Sequence, residues 1–266
     1  MLVDTHCHLD FEAFDDDRET VIAAAQAAGV TRMLNPGVDL QNSAAVAALA
    51  ASQPGVYAAV GVHPNDSASW DDSSPGRLAE LAGRPKVVAI GEIGLDYYWD
   101  KAPKPQQHKV LQAQLALAAE LGLPVIIHNR EASQDVLAIL LEWQAGLAAA
   151  GSPLAERPGV LHSFSGDRHM AEKAVAAAFF VGLTGPLTFK KATELQTLAA
   201  ELPLEKLLVE TDSPFLSPHP RRGQRNHPAQ VCLVAEKLAE LRGLPFEQVA
   251  QATTANAERL FRFEAA

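Results

Sequence analysis

Short apolar runs rich in β-branched residues alternate along the chain with longer Ala- and Leu-rich stretches of helical period. The runs at Leu2–Thr5, Arg32–Leu34, Val56–Val62, Val87–Ile90, Val125–Ile127, Gly159–Leu161, Phe179–Leu183 and Lys206–Val209 predict strands. Between them RETVIAAAQAAG, NSAAVAALAAS, HKVLQAQLALAAELG and QDVLAILLEWQAGLAAA predict helices. Gly29, Gly122 and Gly243 follow periodic runs, where a helix C-cap favours glycine. Eight strands alternating with helices over about 250 residues predict an α/β fold, a (β/α)₈ TIM-type barrel. An open doubly wound sheet is the alternative, but no G-x-G-x-x-G follows the first strand. The polar loop GSPLAERP is too short to separate domains, so residues 1–266 are expected to form a single domain that ends in the helix FEQVAQATTANAERLF.

Composition narrows the function. Lys and Arg total 22 against 32 Asp and Glu, a formal charge of −10, which excludes a whole-surface basic footprint for nucleic acid. Any polyanion must be gripped locally, by a basic loop or bound cations. Two cysteines, Cys7 and Cys232, imply no disulfide framework and fit a reducing compartment. Met1 leads straight into an acidic, His-containing strand, and no apolar run approaches the ~20 residues that span a bilayer. A cytoplasmic protein with no membrane association and no obligate protein partner is expected.

A barrel builds its active site at the carboxyl ends of its strands. Six of those ends carry unusual polar residues: His6 and His8 in VDTHCHLD, His63 in GVHP, Glu92 in AIGEIGLDYYWD, His128 in PVIIHNREA, His162 in GVLHSFSGD and Asp212 in LLVETDSPFLSP. Residues i and i+2 share a strand face, so both imidazoles of His6 and His8 reach one side of the mouth while Cys7 points away. Asp4 shares their parity and is a candidate to orient one of them. A carboxylate in the apolar stretch around Glu92 needs compensation. A cation would supply it, since no Arg or Lys follows until Lys101. Four imidazoles and two carboxylates suit two divalent ions with Glu92 as bridge. One ion would take His6, His8, Glu92 and Asp212, the other Glu92, His128 and His162. Imidazole-rich ligation favours Zn or Mn over bare Mg, though all three are candidates. Two such ions against two carboxylates leave a local charge of roughly +2, enough to hold a phosphate in an acidic protein.

Taken together these motifs resemble those of the TatD family of metal-dependent deoxyribonucleases, within the amidohydrolase superfamily, and the likeness runs from Leu2 to TTANAERLF. The resemblance implies that His6, His8, Glu92, His128, His162 and Asp212 are metal ligands and that His63 matches a GxHP histidine beside the metals. The segment RRGQRNHP, Arg221–Pro228, keeps the family's Arg222, Gly223, Arg225, Asn226 and Pro228 but departs from it at Gln224 and His227.

The expected reaction is hydrolysis of a phosphodiester by a two-metal mechanism. Metal binding lowers the pKa of water to ~7 and the resulting nucleophile attacks phosphorus in line. Glu92, Asp212 and His63 are the expected catalytic residues, with Asp212 accepting the proton and His63 serving the phosphate or leaving group. Arg130, Lys190, Lys191, Arg222 and Arg225 are candidate phosphate contacts. Tyr97, with Tyr98 and Trp99, is a candidate base-stacking surface. A narrow mouth suits a chain end, and with the resemblance this points to a 3′→5′ exonuclease on single-stranded DNA, with RNA as a second substrate, in DNA degradation or repair. The alternative keeps the hydrolase and changes the bond, as in a D-aminoacyl-tRNA deacylase.

Overall fold

The computed structural model describes residues 1–99 and 101–263; Asp100, the last residue of the DYYWD stretch, lies outside them. Eight parallel strands follow chain order around one sheet: β1 (Leu2–Asp4), β2 (Val30–Pro36), β3 (Val56–Val60), β4 (Val87–Asp96), β5 (Val125–Arg130), β6 (Gly159–Leu161), β7 (Phe180–Leu183) and β8 (Leu207–Val209). The helices between and after them are α1 (Arg18–Ala27), α2 (Leu40–Ser52), α3 (Ser74–Ala82), α4 (Lys104–Leu121), α5 (Ser133–Ala149), α6 (Arg168–Ala176), α7 (Thr193–Glu201), α8 (Val231–Arg242) and α9 (Phe246–Phe261). The expected barrel is therefore present, nearly closed.

Alternation along the strands builds two cores. Val3, Leu34, Ala59, Ile126, Val160, Phe180 and Leu208 meet inside the barrel. Leu2, Met33, Ala58, Ile127, Leu161, Val181 and Leu207 face the helices. Helix α9 adds Ala257, Leu260 and Phe261 to the inner cluster and so packs against the barrel's own core. Among the described residues no helix is long and apolar enough to cross a membrane.

The sheet closes between β1 and β8 beyond their regular ends. Thr5 N donates to Val209 O (3.3 Å), Asp212 N to His6 O (2.9 Å) and His8 N to Ser213 O (2.8 Å). Buried Asp4 sews the same seam, accepting from Thr211 N at 2.9 Å and from Thr211 Oγ1 at 2.6 Å. These bonds set the histidines that follow β1 against the aspartate that follows β8.

Strand β4 runs to Asp96, well beyond the expected Ile90. The apolar pattern hides this because glycines interrupt it. A Cβ on Gly91 would stand 2.7 Å from Ile126 Cβ, and one on Gly94 only 2.0 Å from His128 O. Both glycines let β4 press against β5 along its whole length.

Candidate metal centre

Glu92 enters the mouth through an irregularity in that long strand. The β4–β5 register shifts between Ile90 and Ile93, and a bulge of this kind re-aims a side chain. The two carboxylate oxygens then face different neighbours. Oε2 lies 3.4 Å from His6 Nε2 and 3.9 Å from His8 Nε2. Oε1 lies 2.9 Å from His128 Nδ1 and 3.9 Å from His63 Nε2. On the first side, His6 Nε2 and His8 Nε2 are 3.2 Å apart. Asp212 Oδ1 stands 3.7 Å from the first, 3.5 Å from the second and 3.5 Å from His162 Nε2.

These atoms suit a shared cation. Donors bound at about 2.1 Å to one ion stand roughly 3–4 Å apart, which is the spacing found. Three groups of donor atoms lie within 4.8 Å of one another: His6, His8 and Asp212; His6, Glu92 and His162; His63, Glu92 and His128. The Nδ1 atoms of His6 and His8 are buried without a hydrogen-bond partner among the described residues. Each ring instead turns its Nε2, 3.2 Å from the other's, toward the carboxylates of Glu92 and Asp212, where a cation would take both nitrogens as ligands.

The other imidazoles are oriented by carboxylates that the sequence reading passed over. Glu210 Oε2 accepts from His162 Nδ1 at 2.8 Å and from Ser163 N at 3.0 Å, leaving Nε2 for the centre. Glu210 is fully buried, and Gly182 makes its space, since a Cβ there would meet the carboxylate at 2.4 Å. Asp96 Oδ2 pairs with His128 Nε2 at 3.0 Å, while its Oδ1 accepts from Tyr98 N and Trp99 N, each at 3.0 Å. A signal for both was available: Glu210 lies at i−2 from Asp212, and Asp96 at i+4 from Glu92. Asp4, by contrast, orients no ring. It binds backbone and hydroxyl groups because β1 ends at Asp4 and strand parity stops with it.

Burial opposes ionisation of Glu92 and Asp212, but the surrounding imidazoles outweigh it and hold both below the usual carboxylate range. Asp96, likewise opposed by burial, is brought down to about 2 by His128 and two backbone N–H groups. For His128 burial works against the charged form, yet Asp96 and Glu92 raise its pKa to about 9. His162 is raised against burial by Glu210 and Asp212. His6 is lowered, by burial and by the His162 ring stacked 3.3 Å from it. His63 falls to about 3, from burial and then from His128, so it is neutral at any working pH. Its Nδ1 accepts from Asn65 N at 3.1 Å, which puts the ring proton on Nε2. In that tautomer His63 offers the mouth a hydrogen-bond donor.

The centre floors a mouth of about 950 Å³. Of the expected substrate contacts, Arg130 and Lys191 line it, together with Lys101, Trp99, Phe11 and Phe215. Arg130 lies over the Tyr98 ring, 4.2 Å from its centroid, and Phe215 is 52% exposed beside the histidines. Other candidates are engaged elsewhere. Tyr97 directs its hydroxyl to His108 Nε2 and Asp135 Oδ2, each at 2.5 Å. Arg225 is a tie between loops: its guanidinium grips Asp17 at 2.6 and 3.0 Å, donates to Ala13 O and covers the Phe14 ring. Arg222 lies 4.3 Å over Phe189, and Lys190 is exposed outside the mouth.

The chain is similar to known proteins along nearly its whole length. Residues 3–262 match the family described as TatD related DNase. The chain is 44% identical over 262 residues, 98% of this chain and 99% of the relative, to the uncharacterized metal-dependent hydrolase YabD of Bacillus subtilis. It is 37% identical over 265 residues, 98% of this chain and 97% of the relative, to the 3′-5′ ssDNA/RNA exonuclease TatD of Cronobacter sakazakii. The crystal structure of YjjV, a TatD homologue from Escherichia coli, superposes with a TM-score of 0.90 at 36% identity, covering 98% of each chain.

Proposed function

Because the chain belongs to the TatD related DNase family and is a metal-dependent hydrolase of ester bonds, we propose that it shortens single-stranded DNA from the 3′ end, with RNA as a second substrate. The observation that carries this reading is the division of Glu92 between two clusters of imidazoles at the floor of an open mouth. We assign two divalent ions to it. His6, His8, Asp212 and Glu92 would hold one; Glu92 and His128 would hold the other, while His162, expected with them, stands with its Nε2 3.5 Å from Asp212 Oδ1 and its ring stacked on His6. When bound, such ions polarise phosphoryl oxygens and lower the pKa of water.

The chain's own residues do the rest. Asp212, ionised throughout the working range, spends Oδ1 on three imidazoles and keeps Oδ2 as the proton acceptor. His63 Nε2–H donates a hydrogen bond to a phosphoryl or leaving oxygen. Arg130 and Lys191 hold neighbouring phosphates, while Trp99 and Phe215 offer faces to unpaired bases. Glu210 and Asp96 keep the imidazoles of His162 and His128 in place.

The test supplies purified protein with Mg, Mn or Zn and substrates labelled at the 5′ or the 3′ end: single-stranded DNA, duplex DNA and RNA. A ladder shortening from the 3′ end of single strands is expected, abolished in Glu92→Gln. Absence of any nucleic-acid cleavage under all three metals would refute the proposal.

A further inference from the structure

A second cavity, of about 200 Å³, lies at the opposite end of the barrel and shares no residue with the mouth. Its walls come from the segments that lead into β4, β5 and β6 and from the end of α9. Arg84, Lys86, Arg157 and Arg262 line it, with Leu123 and Phe261 as apolar wall and, among the described residues, no acidic one. In a chain with a formal charge of −10 this local composition is unexpected.

Two of the cations are built into the scaffold. Lys86 Nζ donates to Ala50 O at 2.9 Å and to Gln53 O at 2.8 Å, at the end of α2. Arg157 donates to Leu260 O at 2.9 Å and to Gly122 O at 3.1 Å, tying α9 to α4. Its Nε is buried with no partner among the described residues. The other two, Arg84 and Arg262, are exposed and form no ion pair among the described residues. The backbone adds a further sign. Arg262 (φ 50°) makes the left-handed turn that ends α9, whereas Lys86 (φ 61°) adopts that region between α3 and β4, where glycine is the unstrained choice. Strain of this kind concentrates at ligand clamps. Burial and the neighbouring Arg262 lower the pKa of Arg157, as expected of cations gathered without a counter-charge.

We propose that this cavity is an anion site for a compact ligand carrying a phosphate group, separate from the metal centre and independent of the reading of the mouth. Arg84 and Arg262 would close on the phosphate from the rim, over Arg157 at the floor, since planar guanidinium groups match its oxygens. The volume suits a phosphate or pyrophosphate, and Leu123 and Phe261 would admit part of a nucleoside.

Calorimetric titration with inorganic phosphate and with a 5′-deoxymononucleotide, at constant ionic strength set by chloride, tests the site. Wild type should show a saturable component that an Arg84→Ala/Arg262→Ala variant loses by about tenfold or more in affinity. Arg130→Ala, at the mouth, should retain it. Equal affinity for the two probes assigns the site to the phosphate alone, and tighter mononucleotide binding adds the apolar wall. Unchanged binding in the double variant, loss of the component in Arg130→Ala, or no saturable component in wild type would overturn the proposal.

Discussion

Asp212 shows how one residue gathers its chemistry from its surroundings. It stands in the left-handed region (φ 55°), a conformation aspartate tolerates better than most, and so brings Oδ1 to imidazoles from β1 and β6. Asp212→Asn keeps the shape and removes the proton acceptor. Its kcat should fall by about 10²–10⁴ with the circular dichroism spectrum unchanged; full activity would exclude Asp212 as base. His128 makes a pH prediction. Its pKa is raised from 6.5 to about 9, so in metal-free protein it contributes stability that is complete below 6.5 and is lost as pH rises through 9. As a proposed metal ligand His128 would have to give up that proton, so metal affinity should rise with pH up to about 9, by at most about tenfold per unit for each proton released. Melting temperature against pH with and without chelator checks the first statement. Calorimetry in buffers of different ionisation enthalpy counts the protons. A metal-free protein equally stable at pH 6 and pH 10 would contradict it.

At the scale of elements, β4 and the loop after β8 decide the site. Gly94 (φ 151°) has no room for a side chain. Gly94→Ala should cost about 3 kcal/mol or more and lower the metal content, measured by denaturant midpoint and elemental analysis. A protein of native stability with full metal content would show that β4 and β5 can part freely. The RRGQRNHP segment acts mainly as a staple: buried Asn226 donates to Thr211 O at 2.9 Å and to Phe215 O at 2.6 Å, and Arg225 ties to Asp17. Arg225→Ala should therefore cost at most about 1 kcal/mol of stability, as exposed ion pairs do, and leave the salt dependence of DNA binding unchanged. A phosphate contact would instead reduce that slope by about 0.7. Its chemistry was readable from the chain and its partner was not, because Asp17 lies 208 positions away.

Over the whole molecule, the excess of negative charge leaves only a few cations at the mouth. With Lys101, Arg130 and Lys191 as the contacts, the affinity for a single-stranded oligonucleotide should fall with log salt at a slope of about −2. Chelation should weaken that affinity strongly, because the ions supply the remaining positive charge. Fluorescence anisotropy across a salt series, with and without chelator, measures both. A slope much steeper than this would mean a broad basic footprint that the surface lacks.

Alternation of apolar runs and helical periods determined the barrel from the sequence alone, since burying both faces of a parallel sheet between helices leaves few other arrangements. The same pattern placed His6, His8, His63, Glu92, His128, His162 and Asp212 at one end, because every strand of a parallel barrel points the same way. Tertiary structure alone decided how they meet. The bulge that divides Glu92 between two clusters, the space that Gly182 leaves for Glu210, and the turning of Tyr97 and Arg225 away from the mouth depend on neighbours distant in sequence. Local pattern carries the period of a strand but not the contacts that a side chain finds across the barrel.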